Sequence, residues 1–347
     1  MGFLFYLSNA KKFLSRNKKV SIIFLVLCFL GIIFIWRYIF DLESKELLSS
    51  IEIYPPSITC IQFSPDGKTI AACGLRGKIH LLTCEGDKLI SIPSFATTVS
   101  QKHRLSFSPD GNMIASGSDD PIINIWNWKN KNLMASLEYS KSYFSKITCV
   151  AFSPKGKILA STAMDKIIKI WDVTTRKVVA SLIEPYETIT TFIYSPDGKY
   201  LAASGKTSKV TIWDTSTLKV HSEFQVANDK IISMDFSPDS KTLAVTGNDY
   251  KIRLLDLTNK MQSIFREDDH YFSLAFSPDG KQLASVCNGY YIKLFDFESN
   301  KELLKLRTHD EYVAFIAFSP DGKRLASVDS SSFSISIIKL WDVSKLK

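Results

Sequence analysis

The sequence predicts an all-β fold, a ring of seven four-stranded antiparallel blades forming a β-propeller, preceded by a single transmembrane α-helix. Three observations carry that expectation: a motif repeated seven times at a nearly constant interval, short apolar runs filling each interval, and one long uncharged stretch near the N-terminus. They divide the 347 residues into a basic N-terminal cytoplasmic tail at 1–19, a transmembrane signal-anchor helix at 20–40 and a seven-bladed propeller at 41–347.

The helix comes first in the chain. Val20–Trp36 has no charged residue, and Tyr38 to Phe40 extend it past Arg37. About 20 apolar residues in a helix span the hydrocarbon core of a bilayer, and interfacial aromatics anchor the ends. The run exceeds a secretion signal's apolar segment and no small-residue cleavage pattern follows it, so an anchor is expected rather than a cleaved leader. Lys11, Lys12, Arg16, Lys18 and Lys19 precede it without an acidic residue, whereas Asp41, Glu43 and Glu46 follow. Basic flanks stay cytoplasmic, which puts the N-terminus inside and the propeller in the periplasm, a lumen or the extracellular space. The alternative is a cytoplasmic propeller.

The repeated motif is FSPDG at Phe63–Gly67, Phe107–Gly111, Phe276–Gly280 and Phe318–Gly322. Variants are SPKG at Ser153–Gly156, SPDG at Ser195–Gly198 and SPDS at Ser237–Ser240. The aromatic positions Phe63, Phe107, Phe152, Tyr194, Phe236, Phe276 and Phe318 are 40 to 45 residues apart. That interval is the size of one blade. Between Lys146 and Glu184, Val150 and Phe152 alternate with small or polar neighbours, and Ile158–Ser161, Ile167–Trp171 and Val178–Leu182 are three further apolar runs. Four strands per unit follow. Proline presets φ and glycine accepts positive φ, so Ser-Pro-Asp-Gly is turn chemistry between the first two strands.

The third strand carries a second recurring signature, at Trp126-Asn127, Trp171-Asp172, Trp213-Asp214, Leu255-Asp256, Phe295-Asp296 and Trp341-Asp342. With both motifs in register, the chain resembles the WD-repeat β-propeller family from about residue 45 to its end. The last unit stops after three strands, while Lys45–Tyr54 (KELLSSIEIY) matches the fourth-strand segment Lys301–Asp310 (KELLKLRTHD). The N-terminal segment is therefore expected to complete the last blade, and closure removes exposed sheet edges.

The resemblance also implies a polar tetrad in each blade: a histidine before the first strand, a serine on the second, an aspartate in the next turn and the tryptophan. Asp120, Asp165 and Asp249 occupy the aspartate position, Ser116, Ser161 and Ser327 the serine position, and Trp126, Trp171 and Trp341 the tryptophan position. Only His309 matches the histidine, and no blade has the full set at the standard spacing. In blade 7 an insertion over Val328–Ile338 displaces the aspartate, with Asp329 its candidate.

Composition sets limits on function. Six of the eight net positive charges lie in the first forty residues, which leaves the propeller nearly neutral and gives no argument for nucleic acid. The cysteines show no C-x-x-C pair or zinc-ligand spacing. Cys60 and Cys73 face each other in the predicted hairpin and could be bridged in an oxidising compartment. The five histidines are scattered over separate units, and GKTS at Gly205–Ser208 lacks the upstream glycine of a phosphate loop. The motif aspartates Asp66, Asp110, Asp197, Asp279 and Asp321 each belong to the same turn of a different blade. No catalytic set, metal site or cofactor is expected.

Binding remains, which is what the resemblance implies, and the informative positions are those where the repeats disagree. Arg76, Tyr250 and Tyr290 lie in turns between second and third strands, and Tyr143, Tyr186, His270 and Tyr312 between blades. Arginine and aromatic side chains commonly anchor interfaces. The expected function is a membrane-anchored protein–protein interaction scaffold or accessory subunit, touching the bilayer through residues 20–40. Its anchor lacks GxxxG, so self-association is not supported. The alternative is an extracytoplasmic sensor that binds a peptide or small molecule in the central channel.

Overall fold

A computed structural model describes residues 46–54, 58–74, 77–96, 104–140, 146–163, 165–183, 189–205, 208–226, 230–309, 311–329 and 335–345. The basic tail and the expected membrane helix at 20–40 lie outside the described residues, among which no helix occurs.

Among the described residues, twenty-eight strands form seven four-stranded antiparallel sheets. Their first strands are Ile58–Phe63, Arg104–Phe107, Ile147–Phe152, Ile189–Tyr194, Ile231–Phe236, Tyr271–Phe276 and Val313–Phe318, in blades 1 to 7. Each first strand packs beside that of the next blade, and the last packs beside the first. The seven sheets thus form a closed ring with the first strands innermost.

Blade 3 shows why the local sequence adopts this form. Phe152 pairs with Leu159, Leu159 with Trp171 and Trp171 with Val178, so the apolar positions align across the sheet. The second strand, Ile158–Ala163, is nearly all buried and runs through Ala160, Ser161, Thr162 and Ala163. Small side chains suit a strand clamped on both faces by neighbouring blades. The outermost strand, Lys177–Ile183, is mostly exposed. Apolar clusters then join blade to blade: Ile123, Ile125 and Leu137 of blade 2 pack with Ile147, Val150 and Phe152 of blade 3.

The repeated turn is a small hydrogen-bonded unit. In blade 1, Ser64 Oγ donates to Asp66 Oδ1 at 2.5 Å and accepts from the Thr69 N–H at 3.0 Å. The Lys68 N–H reaches the same carboxylate oxygen at 3.0 Å. Gly67 sits at φ 68°, where a β-carbon is strained. The Ser64 hydroxyl, helped by the Lys68 N–H, holds the Asp66 carboxyl below its ordinary range. The same serine-to-aspartate bond recurs in blades 2, 4, 5, 6 and 7. The turn aspartates are therefore structural, as their repetition implies.

Closure follows the expected route. Leu47–Ile53 is hydrogen-bonded beside Ser336–Asp342 and supplies the outermost strand of blade 7. Ile53 is buried with Ile58, Val328, Ile338 and Leu340, and Leu48 and Ile51 pack against them. Ser49 Oγ also accepts the Leu89 N–H of blade 1 at 3.1 Å, which bonds the closing strand across the seam.

Side chains on the innermost strands bond to the next blade's backbone. Gln62 Oε1 accepts the Phe107 N–H at 3.0 Å, Ser106 Oγ the Phe152 N–H at 3.0 Å and Asp235 Oδ2 the Phe276 N–H at 2.7 Å. Asp235 differs because its acceptor is ionisable. Burial pushes its carboxyl from 3.8 up to about 7, against the lowering effect of the backbone N–H groups. Between about pH 4 and 7 the folded chain therefore holds a proton that the unfolded chain releases. Stability attributable to this group is full below about pH 4, declines as pH rises towards 7 and is lost above it. Asp235→Asn should raise stability at pH 8 by on the order of 2 kcal/mol and leave it nearly unchanged at pH 4. Thermal melts of both proteins at the two pH values check this; an equal shift at both would reject the ionisation argument.

Cys60 and Cys73 are paired in register across their hairpin, as the sequence places them, and both are free thiols in this structure.

Candidate functional site

The polar tetrad assembles in blade 7. Trp341 Nε1–H donates to Ser327 Oγ at 2.9 Å, His309 Nε2 lies 2.8 Å from the same hydroxyl, and His309 Nδ1 lies 3.4 Å from Asp329 Oδ2. All four side chains are buried, and Asp329 Oδ1 also accepts the Ile337 N–H at 3.0 Å. The insertion that displaces the aspartate from its usual spacing leaves it within reach of the histidine. His309 is thus part of the blade's interior and is not exposed to a partner.

Other blades keep fragments of this network and replace the rest. Trp126 donates to Ser116 Oγ at 2.9 Å, and Trp171 to Ser161 Oγ at 2.8 Å. In blade 3 the Asp165 carboxylate receives the Tyr139 hydroxyl at 3.0 Å instead of a histidine. In blade 5 Asp249 forms a two-pronged ion pair with Arg253. Asp120 lies in the corresponding turn of blade 2, where its N–H donates to Ser118 Oγ at 3.4 Å. Blade 6 sets Lys293 2.9 Å from Asp269 and 3.4 Å from Glu302. Asp120, Asp165 and Asp249 lie in turns after the second strands, at the end of the ring where the loops between blades also lie.

Those loops bring four of the expected partner-binding residues together in two pairs. Tyr250, in the turn after the second strand of blade 5, stacks on His270, which precedes blade 6; the ring centroids are 4.0 Å apart and the planes 12° from parallel. Phe272 packs edge-on against Tyr250 at 6.0 Å. One junction further on, Tyr290 of blade 6 meets Tyr312, which precedes blade 7, at 4.8 Å. Gly289 makes that contact feasible: it sits at φ 75°, and a β-carbon there would lie 2.0 Å from Tyr312 Cδ1. Tyr250 and Tyr312 remain 36% and 54% exposed, and His270 is exposed too. Rings held by packing yet open to solvent lose little conformational entropy on binding. Arg76, Tyr143 and Tyr186 lie outside the described residues.

The sequence reading missed Arg104. From the innermost strand of blade 2, its guanidinium donates to the Thr59 carbonyl of blade 1 and, through Nε at 3.3 Å, to the Thr148 carbonyl of blade 3. It also lies 5.6 Å from the Phe315 ring centroid of blade 7. Contacts with blades 1, 3 and 7 place the guanidinium of this blade 2 residue among the innermost strands. The signal was present in the repeats, since the position three before the motif aromatic is Cys60 in blade 1 and Cys149 in blade 3 but Arg104 in blade 2. Arg104 also faces Cys60, whose thiol is lowered to about 7 chiefly by its hydrogen bond with Cys73, with the arginine charge contributing. Among the described residues, no group of three or more histidine, cysteine, aspartate or glutamate side chains could hold a metal ion.

Comparison with known proteins agrees with this architecture. The family pattern described as "WD domain, G-beta repeat" matches residues 46–91, 97–127, 136–172, 176–214, 215–256, 261–296 and 300–342. The first of these matches begins one residue before the closing strand and takes it in, so the sequence repeat is offset from the blade. Two curated relatives, each named WD repeat-containing protein 55 homolog, come from Drosophila simulans and Drosophila melanogaster. Each is 24% identical over 120 residues, covering 32% of this chain and 22% of the relative. Protein HIR1 of Kluyveromyces lactis is 35% identical over 100 residues, covering 24% of this chain and 11% of that protein. The chain therefore spans about a fifth or less of the length of these relatives.

Proposed function

The chain belongs to the WD domain, G-beta repeat family, and from that premise we propose that it is a non-catalytic protein-interaction scaffold tethered to a membrane. The observation that carries the binding part is the pairing of Tyr250 with His270 and of Tyr290 with Tyr312 at adjacent blade junctions. A protein surface laid across these junctions meets preorganised aromatic anchors, the residue types that dominate interface energetics. The uncharged run at Val20–Trp36 and its basic upstream flank support the tether, with the N-terminus cytoplasmic and the propeller on the opposite side. Contact with the bilayer then runs through residues 20–40. Arg104 already spends guanidinium donors on the Thr59 and Thr148 carbonyls, so a channel ligand would compete with these bonds for it.

The test is affinity purification of the tagged full-length chain in mild detergent, followed by mass spectrometry. A stoichiometric protein partner is expected. Tyr250→Ala combined with Tyr312→Ala should reduce its recovery by about tenfold or more without lowering the melting temperature appreciably. A monomer whose stability responds to small molecules but to no protein would overturn the reading. Protease protection of the propeller in sealed vesicles tests the orientation separately.

A further inference from the structure

The repeated turn also has a role between blades. A β-carbon on Gly111 would lie 3.6 Å from Pro65 of the preceding blade, and the same proline-on-glycine packing links Pro238 to Gly280 at 3.4 Å, Pro278 to Gly322 at 3.5 Å and Pro320 to Gly67 at 3.3 Å. Between blades 3 and 4 the Lys155 stem covers Gly198 at 3.1 Å. Between blades 4 and 5 the Asp197 N–H donates to Ser240 Oγ at 3.1 Å. The turns thus form a girdle around the end of the ring opposite the aromatic pairs. Among the described residues one link is missing: nothing lies within 4 Å of a β-carbon placed on Gly156, so Pro109 of blade 2 does not cover blade 3. Blade 3 is also where Lys155 replaces the motif aspartate.

A cleft of about 750 Å³ opens at this break. Met113, Ile125 and Met134 of blade 2 and Val173 of blade 3 form its apolar lining, and its charged lining is Asp110 from blade 2 with Lys155, Lys157 and Arg176 from blade 3. Met134 is 47% exposed, a large apolar side chain left to solvent at the cleft's edge. The nearby carboxylates are already engaged locally. Asp110 accepts from the Ser108 hydroxyl and from the Asn112 N–H and side-chain amide, while Asp172 accepts the Thr174 and Thr175 N–H groups. Arg176 uses one N–H on the Met134 carbonyl at 3.1 Å, which leaves the remaining guanidinium donors for an incoming acceptor.

We propose that this cleft is a second docking site, for a short acidic peptide segment of a partner protein. One apolar side chain of that segment seats between Met113, Ile125 and Met134, and its flanking carboxylates meet Lys157 and Arg176. The volume suits a few residues of a peptide rather than a single side chain, and an apolar lining with a few polar groups is the kind that fixes a guest's orientation. Methionine side chains adapt to such guests. The charge on blade 3 selects acidic over basic flanks. Because the cleft and the aromatic pairs lie at opposite ends of the strands, the two surfaces can be occupied together.

Fluorescence polarisation on the full-length chain in detergent tests this with three labelled pools: glutamate-rich peptides with one central leucine, isoleucine or methionine, the same peptides with lysine for glutamate, and plain oligoglutamate. The first pool is expected to bind, and Met134→Asp or Arg176→Glu should each weaken it by about tenfold. Both positions are on the surface, and retained melting temperature shows that the variants fold. Tyr250→Ala should leave this binding unchanged. Equal binding of the lysine pool or of oligoglutamate would overturn the proposal, as would unaltered binding to both variants. Sedimentation that reveals a dimer dissolved by Met134→Asp would also overturn it, because the cleft would then hold a second copy of the chain.

Discussion

Deleting Leu47–Ile53 should destabilise the propeller by on the order of 5 kcal/mol and give it a strong tendency to aggregate. The segment supplies a full strand of blade 7, and its loss exposes Ile338 and Leu340, which are fully buried in the intact ring. Two effects combine. Burial of Ile53, with Leu48 and Ile51 packed alongside, disappears from the cluster that spans blades 7 and 1. The backbone of Ser336–Asp342 also loses its hydrogen-bonding neighbour and becomes an open edge. Thermal unfolding and amide exchange check the result, with faster exchange expected first along Ser336–Asp342 and then across the seam at Ile58–Phe63. An unchanged melting temperature would mean that the ring is held closed without this strand.

The second large effect is expected at Ser327. This hydroxyl serves Trp341 and His309 at once, so Ser327→Ala leaves two buried polar groups without their partner. A cost of about 2–4 kcal/mol follows, since an unsatisfied buried donor or acceptor loses its water without compensation. Ser116→Ala in blade 2 is the control, because that hydroxyl serves Trp126. About half the loss is expected there. Chemical denaturation of the two variants decides the point; equal losses would show that the histidine contributes nothing to the blade 7 network.

Asp329 illustrates how far sequence could reach. Aspartate spacing marks Asp165 and Asp249 in ordinary turns, but the insertion over Val328–Ile338 breaks the spacing in blade 7. Whether the displaced carboxylate still faces His309 depends on the path of the chain, and the structure sets it 3.4 Å away. Tyr139 was not legible as a replacement for histidine because it lies well before its blade's first strand and acts through a hydroxyl on a longer side chain. The tyrosines and His270 were visible one by one as departures from the repeat. Their pairing was not, because each pair joins residues 20 or more positions apart from two different blades. The open junction at Gly156 was hidden for a similar reason: Pro109 and Gly156 both match the motif, and their failure to touch is a property of two blades together.

The sequence by itself determined the seven blades, the hairpin turns, the order of strands and the closing role of Leu47–Ile53. Each depends on short-range chemistry repeated many times: proline and glycine in a turn, alternating apolar positions, and a fourth strand missing at one end and present at the other. Tertiary structure alone decided which loop rings stack, that Arg104 bridges the innermost strands of neighbouring blades, and where the girdle of turns stays open. These features arise where one blade meets the next, and the geometry of that meeting is set by packing over the whole ring.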